Sequence, residues 1–271
     1  MPNKPGISRN IKLVLEFDGT DFHGWQTQKN IRTVQDEVTE AARKGLREEN
    51  DIIGCSRTDA GVHAAGYCAN CITHTVHPPE TIRNMINSYL PDDISVISVS
   101  DADTEFHARH SVVMKTYRYS VSALPDYHPL NRRFVWYSGN PPEIDIMREA
   151  SVCLEGEHDF TAFCGGLEPG KSPVRNIRGI SVTESGGTIA IDVRGRSFLY
   201  RMVRNIVGTL AEIGRGRWGP ERIDAILAAA DRALAGPTAP AEGLTLLRVH
   251  YDDRIFGLHR ALVDNPRGKG I

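Results

Sequence analysis

The sequence predicts a mixed α/β protein built as two similar halves, with their sheets side by side. Three observations predict it. The chain has 271 residues, 40% hydrophobic and 24% charged, a globular composition that excludes a disordered or fibrous chain and fits one large or two modest domains. Strand-period and helix-period segments alternate along it. The alternation starts afresh near residues 105–110 without a close sequence repeat, so the expected domains are 1–108 and 109–271.

In the first half, IKLVLEFD sets Ile11, Leu13, Leu15 and Phe17 on one face of a strand. The polar, Gly-rich DGTDFHGWQTQ that follows reads as a loop. Thr33 with Asp36 resembles a capping box, and Val34, Val38, Ala41, Ala42 and Leu46 give the helix after it an apolar stripe. Ile52 and Ile53 begin a short strand leading into GCSRTDAGVHA, and 64–73 form another. Pro78-Pro79 open a helix with Ile82, Met85, Ile86 and Tyr89 turned inward, Pro91 ends it, and a strand covers Ile94 to Val99.

The second half opens with the strand VVMKTYRYSVS (112–122) and the loop DYHPLNRR. Ile144, Met147, Ala150 and Leu154 have helical spacing. Ile177–Glu184 and Thr188–Gly195 flank Ser185-Gly186-Gly187, a hairpin signal. Ser197 is the expected cap of a long helix over 198–213, a short helix lies near 221–230, and Leu244–Tyr251 closes the fold. The last residues, NPRGKGI, read as a frayed tail.

Composition also bounds function. With 32 Lys+Arg against 34 Asp+Glu the formal net charge is −2, so any nucleic-acid binding must come from a local patch. No run approaches the roughly 18 apolar residues of a membrane helix, and MPNKPGISRN lacks the apolar core of a secretory signal. Five cysteines, an odd number in a chain of this size, fit a reduced, cytoplasmic protein.

Three segments carry chemistry. Gly54–Ala64 packs two glycines, hydroxyls, Arg57 and Asp59 into one loop. Read blandly, Arg57 and Asp59 are a surface ion pair; read functionally, a carboxylate beside a cation stays ionised and suits a nucleophile. In Lys115-Thr116-Tyr117-Arg118-Tyr119 the odd positions share a strand face. They are either packing aromatics with solvated cations or a platform for a nucleobase and its phosphate. Arg194, Arg196, Arg201, Arg204, Arg215 and Arg217 crowd a span with few acids. Arg201 and Arg204 fall on one face of the expected helix. Arginine rather than lysine favours phosphate contact over a merely solvated face.

Two motifs are discounted. Gly214–Gly219 spells G-x-G-x-x-G but follows a helix and precedes Pro220, which is the wrong context for a dinucleotide. Cys68, Cys71, His74 and His77 have ligand chemistry but not finger spacing, and a strand sends Cys68 and Cys71 to opposite faces; a metal there is left open. A metal hydrolase using Asp59, His63 and His23 is a weaker alternative, and a catalytically silent RNA-binding protein is another.

GCSRTDAGVHA resembles the catalytic loop of the tRNA pseudouridine synthases of the TruA family. FDGTDFHGWQ, FHAR (106–109) with KTYRY, GEHDFTAF (156–163), FLYRMVRNIVG (198–208) and TAPAEGLTL (238–246) are similar to that family's further motifs in the same order. The resemblance covers roughly residues 10–252. It implies two α/β domains with mainly antiparallel sheets side by side, helices on one face and a basic cleft between them. It implies isomerisation of uridine to pseudouridine in tRNA, at positions 38–40 of the anticodon stem-loop, without metal or cofactor, by a homodimer. Carried over residue by residue, Asp59 is the nucleophile and Arg57 helps extrude the base. Tyr117 stacks on the uracil, Arg204 neighbours Asp59, and Leu244 lines the pocket.

Overall fold

The alternating apolar side chains of β1 (Arg9–Phe17) bury Ile11, Leu13, Leu15 and Phe17 on one face. The strand pairs antiparallel with β3 (His63–Thr73) and β4 (Ile94–Ala102). The two-residue β2 (Ile53–Gly54) adds to β3. In the computed structural model, which describes residues 8–124 and 128–252, the second half repeats this plan. Its strands are β5 (Val112–Ser122), β6 (Gly156–Asp159), β7 (Val174–Ser185), β8 (Thr188–Gly195) and β9 (Leu244–Tyr251). Gly186 and Gly187, at φ 57° and 74°, make the β7–β8 turn, the left-handed pair that a two-residue hairpin requires.

The strands form one sheet in the order β4-β1-β3-β9-β5-β8-β7-β6. Its pairings are antiparallel except where β9 meets β3, with His63 opposite Thr245 and Ala64 opposite Leu246. β9 also pairs antiparallel with β5. The last strand of the second half therefore sits between the two halves, hydrogen-bonded to both.

Among the described residues there are five α-helices. α1 (Val34–Leu46) starts at Thr33, whose hydroxyl accepts from Asp36 N–H, and buries Val34, Val38, Ala41, Ala42 and Leu46. α2 (Pro79–Asn87) opens on Pro79 and packs beside it. α3 (Ile144–Val152) and α4 (Met202–Gly214) pack together in the second half, and α5 (Arg222–Ala229) follows. α4 is buried nearly all round, as expected of a helix through the middle of a core.

Three expectations are corrected. Ser197 caps nothing: Arg201 has φ 58° and ψ 9°, and α4 begins only at Met202. Gly165 N–H bonds to Tyr200 C=O at 2.8 Å, which ties 198–201 to a neighbouring turn and keeps these residues out of the helix. Arg201 therefore does not share a helical face with Arg204. Tyr89 lies beyond the end of α2 and is exposed. The polar strand β6 was not foreseen, because Gly156-Glu157-His158-Asp159 has no apolar alternation. The NPRGKGI tail, residues 1–7 and part of the 126–133 loop lie outside the described residues.

Candidate active site

The loop after β2 is fixed from several sides. Cys55 N–H bonds to Cys68 C=O at 2.9 Å, and Gly61 N–H bonds to Phe22 C=O at 3.1 Å. Val62 N–H returns to Asp59 C=O at 3.2 Å, with Gly61 at φ 79° to make the turn. The segment 18–25 is its cradle. A Cβ on Gly19 would fall 2.0 Å from Val62 O, and one on Gly24 would fall 2.2 Å from Thr58 O. These glycines let two backbones touch, which gives the FDGTDFHGWQ segment a structural purpose that its reading as a loop missed. His63 anchors the far end. Its Nδ1 accepts Gly19 N–H at 3.0 Å and lies 3.2 Å from Asp18 Oδ1.

Asp59 faces the second half. Arg204 Nη1 donates to its Oδ2 at 2.9 Å, and both side chains are largely covered. Arg204 Nε donates to Ala239 C=O at 2.8 Å, so the guanidinium is held from two directions. The segment 236–243 that supplies Ala239 is latched onto α4 and β5. Thr238 Oγ1 donates to Asn205 Oδ1 at 2.6 Å, Gly236 N–H to Thr209 Oγ1 at 2.9 Å, and Tyr119 Oη to Pro240 C=O at 2.7 Å. Gly208 allows the approach, since a Cβ there would lie 1.8 Å from Pro237 O.

Tyr117 projects from β5 into the same region and is buried. Burial pushes its hydroxyl above its ordinary range, opposed by a hydrogen bond with the Ser56 side chain, while the nearby Asp59 charge raises it further. It therefore stays protonated at neutral pH. Phe198 packs edge-on against its ring at 5.3 Å. Sequence reasoning named neither Ser56 nor this role of Phe198, although both lie inside quoted motifs. Leu244 is buried at the start of β9, opposite Tyr119. The structure thus gathers Asp59, Arg204 and Tyr117. Arg57 points elsewhere: it is exposed, and its Nη1 lies 3.7 Å from Glu168 Oε1.

Other expected cations are already engaged. Lys115 is buried rather than solvated, and burial lowers its ammonium, opposed by neighbouring Cys55. Arg118 forms a fork with Asp192 at 2.7 and 2.8 Å. Arg215 and Arg217 both clasp Glu212, so this part of the arginine cluster is spent internally, whereas Arg194, Arg196 and Arg201 are exposed. Cys68 and Cys71 are both buried, and burial pushes each thiol up to about 12. No group of three or more His, Cys, Asp or Glu side chains that could hold a metal occurs among the described residues. His63 is turned to Asp18 and Gly19, so the Asp59–His63–His23 grouping has no geometric support.

The chain as a whole is similar to known proteins. The chain is 41% identical over 248 residues to tRNA pseudouridine synthase A 2 of Clostridium tetani, covering 91% of this chain and all of that protein. It is 42% identical over 243 residues to tRNA pseudouridine synthase A of Clostridium acetobutylicum, and 41% identical over 243 residues to the protein of that name from Brevibacillus brevis. Each of these covers 90% of this chain and 100% of the relative. A family model described as tRNA pseudouridine synthase matches residues 13–111 and 150–252. The first match carries the Asp59 loop and its glycine cradle, the second carries Arg204 and Leu244, and together they show that the chain belongs to the tRNA pseudouridine synthase family.

Proposed function

We propose that the chain isomerises uridine to pseudouridine in the anticodon stem-loop of tRNA, with Asp59 as the nucleophile. The observation that carries this reading is the Asp59 carboxylate, held by Arg204 at 2.9 Å and near enough for its charge to push the Tyr117 hydroxyl up. Isomerisation breaks the bond from C1′ to N1, turns the base over and joins C1′ to C5, while the C5 hydrogen leaves as a proton. Atoms balance within one substrate. A carboxylate can hold one fragment covalently through that interval. On this reading Tyr117 stacks on the freed uracil, and Leu244 keeps out water that would otherwise trap an abasic product.

The base must leave its stack to reach a buried carboxylate. Arg57, exposed on the same loop two residues away, is suited to fill the gap it leaves. A homodimer belongs to the same reading and rests on the family resemblance, while a cytoplasmic setting rests on the odd number of cysteines. No helix among the described residues is long and apolar enough to cross a membrane.

Tritium release from tRNA labelled at uracil C5 tests the reading, because a new bond at C5 must expel that hydrogen. The wild type should release it. Asp59→Asn should lower the rate by at least about three orders of magnitude, the scale seen for a covalent nucleophile, while RNA affinity changes little. Equal losses of turnover and affinity would overturn the nucleophile assignment.

A further inference from the structure

The FHAR segment (106–109) has no part in the chemistry above, yet it is firmly placed. Asn10 Nδ2 donates to Phe106 C=O at 2.8 Å, Ala108 N–H donates to Asn70 Oδ1 at 2.8 Å, and Tyr251 Oη donates to Ala108 C=O at 2.7 Å. Phe106 and Ala108 are thereby pinned into the core, and the alternate residues His107 and Arg109 are turned out. His107 Nδ1 accepts the Arg109 and His110 amides, and the His107 and His110 rings sit 4.2 Å apart.

These side chains line a cavity of about 620 Å³ that also reaches Ser56 and Arg57. Ser56 and Arg57 belong to the loop that carries Asp59, so that loop forms one wall of the cavity. Its lining has two chemistries. Arg57, Arg109 and His110 supply cationic or cation-forming groups, and the Arg109 guanidinium has no hydrogen-bond or ion-pair partner among the described residues. Asp51 and Asn50 supply acceptors. Asn50 Oδ1 is buried and has no hydrogen-bond partner, although Asn50 Nδ2 donates to Ile72 C=O. The His107 and His110 imidazoles add flat surfaces, whereas the Trp25 indole is buried against the Tyr67 ring 4.1 Å away.

A nucleotide has this same polarity: an anionic phosphate, a flat base, and exocyclic amino groups on adenine, guanine and cytosine. We propose that this cavity takes the nucleotide next to the target uridine, its phosphate against Arg57 and Arg109, its ring against His110, and its amino group toward Asp51 and Asn50. Stacking of a splayed base on an imidazole face is a usual way of holding single-stranded RNA. The proposal rests on the RNA-modifying reading above, and it makes Arg57 a link between the two sites rather than a wedge alone.

The test uses the intact protein and RNA stem-loops in which the nucleotide 5′ or 3′ of the target uridine is made abasic, one at a time. An abasic site keeps the phosphate and removes the base. On one of the two sides, the wild type should bind the abasic RNA at least about fivefold more weakly, the loss expected for one stacked base. An Arg109→Ala/His110→Ala variant should bind intact RNA more weakly and show no further loss from the abasic site, the non-additivity of groups in contact. Both substituted side chains are exposed, and thermal melts check that the fold is kept. A base lost at equal cost in wild type and variant, or no loss on either side, overturns the pocket. Tritium release that persists alongside such a result leaves the isomerase reading standing, whereas wild type that neither binds nor turns over RNA overturns both.

Discussion

Arg204 shows how one side chain joins chemistry to architecture. Its planar guanidinium serves the Asp59 carboxylate through Nη1 and the Ala239 carbonyl through Nε. A lysine ammonium is a point donor on a flexible stem and cannot span both acceptors with fixed geometry. Arg204→Lys should therefore keep the fold and lose about 10- to 100-fold in turnover, or roughly 1.4–2.8 kcal/mol of activation free energy. Single-turnover rates alongside melting temperature check this; a collapsed melting temperature would make the residue structural first. His63 gives a second residue-scale expectation. Burial lowers its folded value below the ordinary 6.5, against the pull of Asp18. The unfolded chain thus binds the proton more readily, and stability rises with pH across that window. The contribution is complete above 6.5 and is lost as pH falls through the folded value. Urea midpoints should drop between pH 7.5 and 5.5, and His63→Gln should flatten part of that slope. An unchanged slope in the variant would move the effect to other groups, of which His107 shifts in the same direction.

At the level of elements, the latch between α4 and 236–243 is the sensitive joint. Gly208→Ala would place a methyl 1.8 Å from Pro237 O, a backbone atom, so one of the two segments must move. Overpacking of this kind costs about 1–3 kcal/mol. The expected result is a lower melting temperature together with a fall in turnover, because Ala239 would carry Arg204 with it. Lost stability at full turnover would show that the segment tolerates displacement. Much of the element plan was legible in the chain. β5, β8 and β9 were bounded within a residue or two because period-2 alternation and the Gly186-Gly187 turn mark them. The start of α4 was not, since Arg201 takes its left-handed backbone from a tertiary contact at Tyr200. The pairing of β3 with β9 joins residues far apart in sequence, and no local pattern encodes it. The candidate site was legible mostly through resemblance. Residue reasoning singled out Asp59 and Tyr117, but the Asp59–Arg204 contact and the engagement of Arg215 and Arg217 by Glu212 are properties of the folded chain.

On the scale of the whole molecule, the halves share one sheet through β9. Their cores are continuous, and opening one half strips hydrogen bonds from the edge of the other. Calorimetry should therefore record one unfolding transition, with calorimetric and van't Hoff enthalpies in agreement. Two resolved transitions would show that the β9 seam parts before either half melts. The seam also orders events in time. Asp59, Tyr117 and Arg204 are all translated before Leu244–Tyr251, the strand that fastens Asp59's half to Tyr117's. Non-local pairings of this kind form late and slowly. If the proposed roles hold, a nascent chain can carry Asp59, Tyr117 and Arg204 and still be inert toward RNA, so that competence arrives as a single late event in biosynthesis.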